Sequence, residues 1–320
     1  MLANNSSAKP YLVNTVLGPL SHLVFGITDA HNHVWIEPVP GAEPNAPILN
    51  QKEEILQELI DFKDAGGATI LDCQPGGCGR NGLVLEELSR LTGVNIIACT
   101  GFHRKKYYPA DYWLWKASPD QCAAYFIDEL ESGLLESRKS PNMVKAGFIK
   151  IALENTLESS SMNAVEGAAI AARQTCTSIE IHTEKGAQAE EMVAFMVDKG
   201  VDESKIILCH MDKRADIGLH KELAQSGALL EYDTFFRPKY SPEEELWPLI
   251  IKMVEAGLAY RVTLATDMAE SEMYYNLGKG PGLASLPGLI RSRLTQLRIP
   301  ENYIQLMMGE NISRRLAGLT

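Results

Sequence analysis

Six residues of this 320-residue chain have side chains able to hold metal ions, and each stands at the end of a short apolar run. His31 and His33 close "FGITDAHNHVW". On an extended strand residues i and i+2 face the same side, so the two imidazoles aim at one point. Lys150 lies in "GFIKIALE", His182 in "IEIHTEKG", His210 in "IILCHMDK" and Asp267 in "TLATDMA". Imidazole nitrogens and carboxylate oxygens form a ligand set for zinc and similar divalent ions. Taken singly, each has an ordinary alternative: a histidine that only hydrogen-bonds, an aspartate that only caps a helix. Their shared placement at strand ends is the informative part. Lys150 is the misfit, because an ammonium repels divalent cations and must be neutral or chemically changed beside them.

The elements that must position these groups alternate along the chain. Short β-branched or apolar runs occur at "VFGITDA", "ATILDC", "VNIIACTG", "AGFIKIAL", "TSIEIHT", "KIILCH", "ALLEYD" and "RVTLATD". Longer segments with helical spacing separate them. In "GAQAEEMVAFMVDKG" Met192, Phe195, Met196 and Lys199 follow the i, i+3, i+4, i+7 pattern, and Gly200 supplies a stop. Ile55, Leu59 and Phe62 mark the apolar face of an earlier helix that Gly66 and Gly67 close. Eight strands alternating with helices pair in parallel through right-handed crossovers, and close most simply into a (β/α)8 TIM barrel. Three long loops, 36–47, 101–120 and 267–288, all follow strand C-termini, the face that carries the chemistry in such barrels.

No linker or low-complexity tract divides the chain, which reads as one barrel domain over 1–320 with residues 1–20 as an N-terminal extension. The 30 Lys+Arg against 41 Asp+Glu give a net charge of −11, which argues against nucleic-acid binding and gives no reason for adhesion to an anionic membrane. The N-terminus lacks the pattern of a signal peptide, and no uncharged apolar run is long enough to span a bilayer. Six scattered cysteines without a CxxC pair read as buried thiols in a reducing cytoplasm. A cytoplasmic location is the expectation.

The set His31, His33, Lys150, His182, His210 and Asp267 resembles the phosphotriesterase-like branch of the amidohydrolase superfamily. "TDAHNHVW", "LDCQPGGCGRNGLVLEELSRLTGVNIIACTGFHRKKYYP", "FIKIA", "IHTEKG", "CHMDK", "DTFFRPKY" and "TDM" fall in that family's order, over about residues 20–315. The resemblance implies a (β/α)8 barrel with a binuclear metal site, and a homodimer. It implies that CO2 converts Lys150 to a carbamate bridging two divalent ions, which resolves the misfit of an ammonium. His31, His33 and Asp267 would hold one ion, and His182 and His210 the other. Zn2+ is the first expectation, with Mn2+, Co2+ or Fe2+ also compatible with the ligands. A hydroxide shared by the ions would be the nucleophile, and Asp267 would accept its proton and pass it to the leaving group.

Hydrolysis is better specified than its substrate, because one fold hosts many substrates. The loops must choose. "HRKKYY" places His103, Arg104 and Tyr107 after the third strand. Lys213 follows the sixth strand, and Arg237 and Tyr240 the seventh. In an acidic protein these groups point to a small anionic substrate, such as a phosphorylated sugar lactone. The opposing expectation is that the cations pair with local acids such as Asp212, Asp216 and Asp233. Trp113, Trp115, Met268, Met273, Tyr274 and Tyr275 either wall an apolar channel or pack the long loops against the barrel. "QPGGCGRNG" (74–82) fails the Walker pattern and reads as a tight turn with Asn81 near a helix cap. Three functions compete: a lactone or ester hydrolase, a phosphoric triester hydrolase, and a non-catalytic binding protein that retains metals.

Overall fold

A computed structural model describes residues 11–319. Eight parallel strands follow one another around a nearly closed barrel: β3 (Ile27–Asn32), β4 (Gly67–Asp72), β5 (Asn95–Gly101), β6 (Phe148–Ala152), β7 (Ile179–His182), β8 (Ile206–Cys209), β9 (Leu229–Tyr232) and β10 (Val262–Leu264). Each neighbouring pair from β3 to β10 is joined by a parallel ladder. The expected eight strands and their order are those found. The helices between them are α1 (Lys52–Asp64), α2 (Gly82–Thr92), α3 (Pro119–Glu131), α4 (Met162–Thr175), α5 (Ala189–Asp198), α6 (Ile217–Ser226) and α7 (Leu246–Glu255).

Local signals place these helices. The Asn81 side chain accepts from the Leu83 and Val84 amides and caps α2, as its turn suggests. Ser118 and Gln121 form a reciprocal capping box at α3, with Pro119 at its first turn. On α5, Met192 and Met196 are buried, and the helix ends just before Gly200.

Residues 11–21 of the N-terminal segment pack beneath the barrel, while residues 1–10 lie outside the described residues. Strands β1 (Leu12–Thr15) and β2 (Gly18–Ser21) form an antiparallel hairpin. It buries Val13 in a cluster with Phe25, Leu71, Ile97 and Phe148. The Val16 amide donates to Ile96 O at 2.9 Å, tying the hairpin to β5.

The last seam, between β10 and β3, closes differently. Among the described residues no ladder joins the two strands. The Asp29 carboxylate instead accepts from the Thr266 amide (3.1 Å) and the Thr266 hydroxyl (2.6 Å), and Asn32 Nδ2 donates to Thr266 Oγ1 at 2.7 Å. The Asp267 amide donates to His31 O at 2.9 Å, setting the two side chains next to each other. Among the described residues no helix is long and apolar enough to cross a membrane.

Candidate metal centre and substrate cleft

Strand ends deliver five of the six groups; Lys150, expected at a strand end, stands within its strand instead. The pleat turns His31 and His33 toward the barrel axis, Lys150 is in the middle of β6, and His182 is the last residue of β7. His210 and Asp267 follow their strands directly or within a few residues, both in the left-handed region (φ 62° and 44°). For residues with a Cβ that conformation costs free energy, which the surrounding barrel must supply. All six are buried or nearly so.

The structure brings all six predicted groups together. His31 Nε2 and His33 Nε2 lie 3.6 and 3.8 Å from Asp267 Oδ1. His210 Nδ1 is 3.8 Å from Asp267 Oδ2, and ligand atoms of His31, His210 and Asp267 all lie within 4.8 Å of one another. His182 Nδ1 and His210 Nε2 face each other at 2.8 Å. Lys150 Nζ approaches His31 Nε2 at 3.3 Å.

These donors fit divalent cations. Burial pushes the pKa of His31, His33, His182 and His210 below that of a free imidazole, leaving neutral rings with lone pairs to offer. His182 Nε2 is buried without a hydrogen-bond partner. Burial opposes the charge on Asp267, but His210 and Arg237 outweigh it and hold the carboxyl below its ordinary value. Asp267 therefore stays ionised at neutral pH.

Beneath the six lies a layer of acids and thiols that the sequence reading missed. Glu231 Oε1 lies 2.7 Å from His31 Nδ1, and Asp233 Oδ2 lies 2.7 Å from His210 Nδ1. Lys150 Nζ donates to Glu180 Oε1 at 2.5 Å and lies 3.1 Å from Cys209 Sγ, while Cys73 Sγ donates to the same Glu180 oxygen at 3.0 Å. Burial disfavours the Lys150 charge, but the facing Cys209 and Glu180 overcome it and raise its pKa. A signal existed: Glu180 precedes His182 by two residues and Glu231 precedes Asp233 by two, so each pair shares a strand face.

Above the six opens a cavity of about 290 Å3, lined by His31, His33, Asp267 and Lys213 among others. His103, Tyr107, Arg237 and Tyr240 also line it. His103 lies between the rings of His33 and His182, at centroid distances of 5.9 and 5.4 Å, and its Nδ1 accepts the Arg104 amide. Burial also lowers the pKa of His103, so its expected part in a cationic loop gives way to that of a neutral ring. Arg237 Nη2 lies 3.3 Å from Asp267 Oδ2 and 3.2 Å from Glu270 Oε2. Burial works against the Lys213 charge, which Asp233 and Asp267 restore, and its Nζ sits 5.2 Å from the centre of the Tyr240 ring.

Arg104 departs from expectation. It is not among the residues lining the cavity, and it pairs with Glu154 (3.2 Å) and Glu184 (2.8 Å), acids distant in sequence. Of the nearby acids expected to partner the cations, Asp233 does so by supporting the Lys213 charge, while Asp212 accepts from Thr234 and Asp216 caps α6. The aromatic residues pack the loops. Tyr108, Tyr112 and Trp115 pack against one another in tilted and edge-on contacts, and the buried Tyr274 hydroxyl donates to His33 O at 2.5 Å. The apolar wall of the cavity comes from the proline-rich loop, including Ile36, Pro38, Val39 and Pro47.

Comparison with known proteins agrees with this geometry. Residues 11–316 match the family model described as the phosphotriesterase family. A phospho-furanose lactonase of Mycoplasmopsis synoviae is 29% identical, the alignment covering 95% of this chain and 91% of the relative. A lactonase structure from Listeria monocytogenes superposes with a TM-score of 0.88 at 24% identity over 95% of this chain and 98% of that one, a likeness of fold. The phosphotriesterase homology protein of Escherichia coli, solved with phosphate in its active site, gives a TM-score of 0.83 at 26% identity, covering 91% of this chain and 98% of that one. The chain belongs to the phosphotriesterase family and is an ester-hydrolysing enzyme.

Proposed function

We propose that the protein opens a small lactone carrying a phosphate or similar anionic group. The observation that carries this reading is the placement of Lys213, Arg237 and Tyr240 on the cavity that also exposes His31, His33 and Asp267. Two ammonium or guanidinium groups and a phenol beside an ester-cleaving centre suit a charged substituent at one end of the substrate. The names of the lactonase relative and the phosphate found in the Escherichia coli protein support the same chemistry.

In this reading His31, His33 and Asp267 would hold one divalent ion, and His182 and His210 the other. Lys150, as its CO2-derived carbamate, would be the ligand common to both. Zn2+ is the favoured ion, with Mn2+, Co2+ or Fe2+ as substitutes. The ions would supply Lewis acidity and a nucleophile drawn from water at neutral pH. The residues do the rest. Asp267, ionised and beside both His31 and His210, accepts the proton of the attacking water and returns it to the departing alkoxide. Arg237 borders that carboxylate on its outer side and, with Lys213 and Tyr240, orients the anionic end. Conversion of Lys150 from ammonium to carbamate would break its ion pair with Glu180.

The test is a substrate panel on protein prepared with Zn2+ or Mn2+ and bicarbonate. It would include phosphorylated and plain sugar lactones, acyl-homoserine lactones and aryl phosphotriesters. Preference for the phosphorylated lactones, with about two ions per chain by elemental analysis, is the expected result. Turnover of triesters alone would favour the second reading, for which the apolar wall of Ile36, Pro38, Val39 and Pro47 offers a seat for uncharged ester arms. Two ions with no turnover on any member would favour a binding protein.

A further inference from the structure

The turn "QPGGCGRNG" lacks the Walker pattern, yet it reaches the site through its first residue. We infer that Gln74 is a positioning residue that fixes the tautomer and aim of His33, and that the turn behind it is a rigid mount. Gln74 Oε1 lies 2.7 Å from His33 Nδ1. The other end of the same amide, Nε2, donates to the Cys78 carbonyl. A carbonyl only accepts, so the NH2 group must face Cys78 and the amide oxygen must face His33. That oxygen in turn only accepts, so His33 carries its proton on Nδ1. The lone pair of Nε2 is then directed to the cavity, on the side of Asp267.

The mount is tied on three sides. The Glu37 amide donates to Gly79 O at 2.8 Å, linking the turn to the proline-rich loop. Gly79 has φ +104°, and a Cβ there would lie 2.6 Å from Glu37 O, so no other residue fits. Arg80 is fully buried and donates to Cys99 O (2.7 Å), Glu129 Oε2 (2.9 Å) and Glu136 Oε1 (2.8 Å). Glu129 also accepts from the Thr100 hydroxyl at 2.7 Å, which fastens the assembly to the end of β5. The aim of His33 is therefore set by a chain of contacts running Arg80, turn, Gln74, imidazole. Outer partners of ligating histidines commonly govern affinity by their hold on the ring.

The test compares Gln74→Met, which removes both amide groups, with Gln74→Glu, which keeps an acceptor for His33. In metal-free protein labelled with 15N-histidine, long-range proton–nitrogen spectra report the tautomer of each ring, with His33 assigned from a His33→Asn sample. Wild type and Gln74→Glu should show Nδ1–H at His33, and Gln74→Met a shift toward Nε2–H. In competition with a chromophoric chelator, Gln74→Met should lose about 10–100-fold in Zn2+ affinity at one of two sites, and Gln74→Glu should recover most of it. An Nε2–H ring in wild type overturns the inference, as does a Gln74→Met variant with unchanged tautomer and affinity. The affinity arm rests on the proposed metal centre and the tautomer arm does not. Wild type that takes up no ions with His33 still Nδ1–H would sink the metal reading and leave the positioning role supported.

Discussion

The floor of the site and its rim are built on opposite plans. On the floor, ligand-bearing rings are braced from inside the barrel: His31 by Glu231, His33 by Gln74, His210 by Asp233. On the rim, the cations are held by loops and differ in what they face. Arg104 is neutralised by Glu154 and Glu184, Arg237 is shared between Asp267 and Glu270, and Lys213 faces the cavity over the Tyr240 ring. Strands fix where a side chain points, so the floor is preorganised. Loops fix only which cations are left for a ligand, and residue type alone does not report that.

Four substitutions probe this contrast. Lys150→Ala strikes the floor and should reduce turnover to that of metal-free protein while stripping the ions, as read by elemental analysis; an active, fully metallated variant would end the bridging role. Arg237→Ala strikes the rim. It should raise KM for a phosphorylated lactone by about 10–100-fold, the worth of one or two charge-assisted hydrogen bonds, and change an uncharged lactone far less. Equal losses on both substrates would show that Arg237 serves Asp267 and not the ligand.

Asp72 reports the free-energy cost of burying acids behind the site. Burial raises its carboxyl to about 7, with one oxygen accepting the Val34 amide at 2.7 Å and the other unpaired. A raised carboxyl binds its proton more tightly in the folded state, so this group's contribution to stability falls as pH rises from about 4 to 7. Asp72→Asn should remove that slope. Its melting temperature relative to wild type should climb across the window, by the equivalent of about 2 kcal/mol or more, and level off above it. A constant difference between pH 4 and 8 would count against a buried, proton-holding Asp72. Arg104→Ala is the smallest case: kcat/KM within about 5-fold of wild type for every lactone, as befits an exposed-edge pair. A selective loss on phosphorylated substrates would return Arg104 to the substrate site.

Much of the floor was legible because strand ends obey a simple period. His31, His33, His182, His210 and Asp267 could be placed by it, and the turn after β4 by its glycines and Asn81. Glu180 and Glu231 obey the same period and went unread, since an acid inside an apolar strand is recognised only when its partner is known. Glu231 is 200 residues from His31, and Glu180 is 30 from Lys150. Arg104 shows the same difficulty at the rim, because its acids lie 50 and 80 residues further along. Pairings across that distance depend on how the barrel closes, and composition carries no trace of it.

The seam between β10 and β3 gives the barrel a line of weakness and a way to secure it. Side chains of Asp29, Asn32 and Thr266 stand there in place of a ladder, and opening the line would break these contacts and the one main-chain bond from the Asp267 amide to His31 O. His31 lies on one bank and Asp267 on the other. An ion held by both would act as a clasp, adding stability that grows with the logarithm of its free concentration. Amide hydrogen exchange along Thr28–Asn32 and Leu264–Asp267 would then slow on metal loading more than anywhere else in the sheet. The ion that performs the chemistry would also complete the wall.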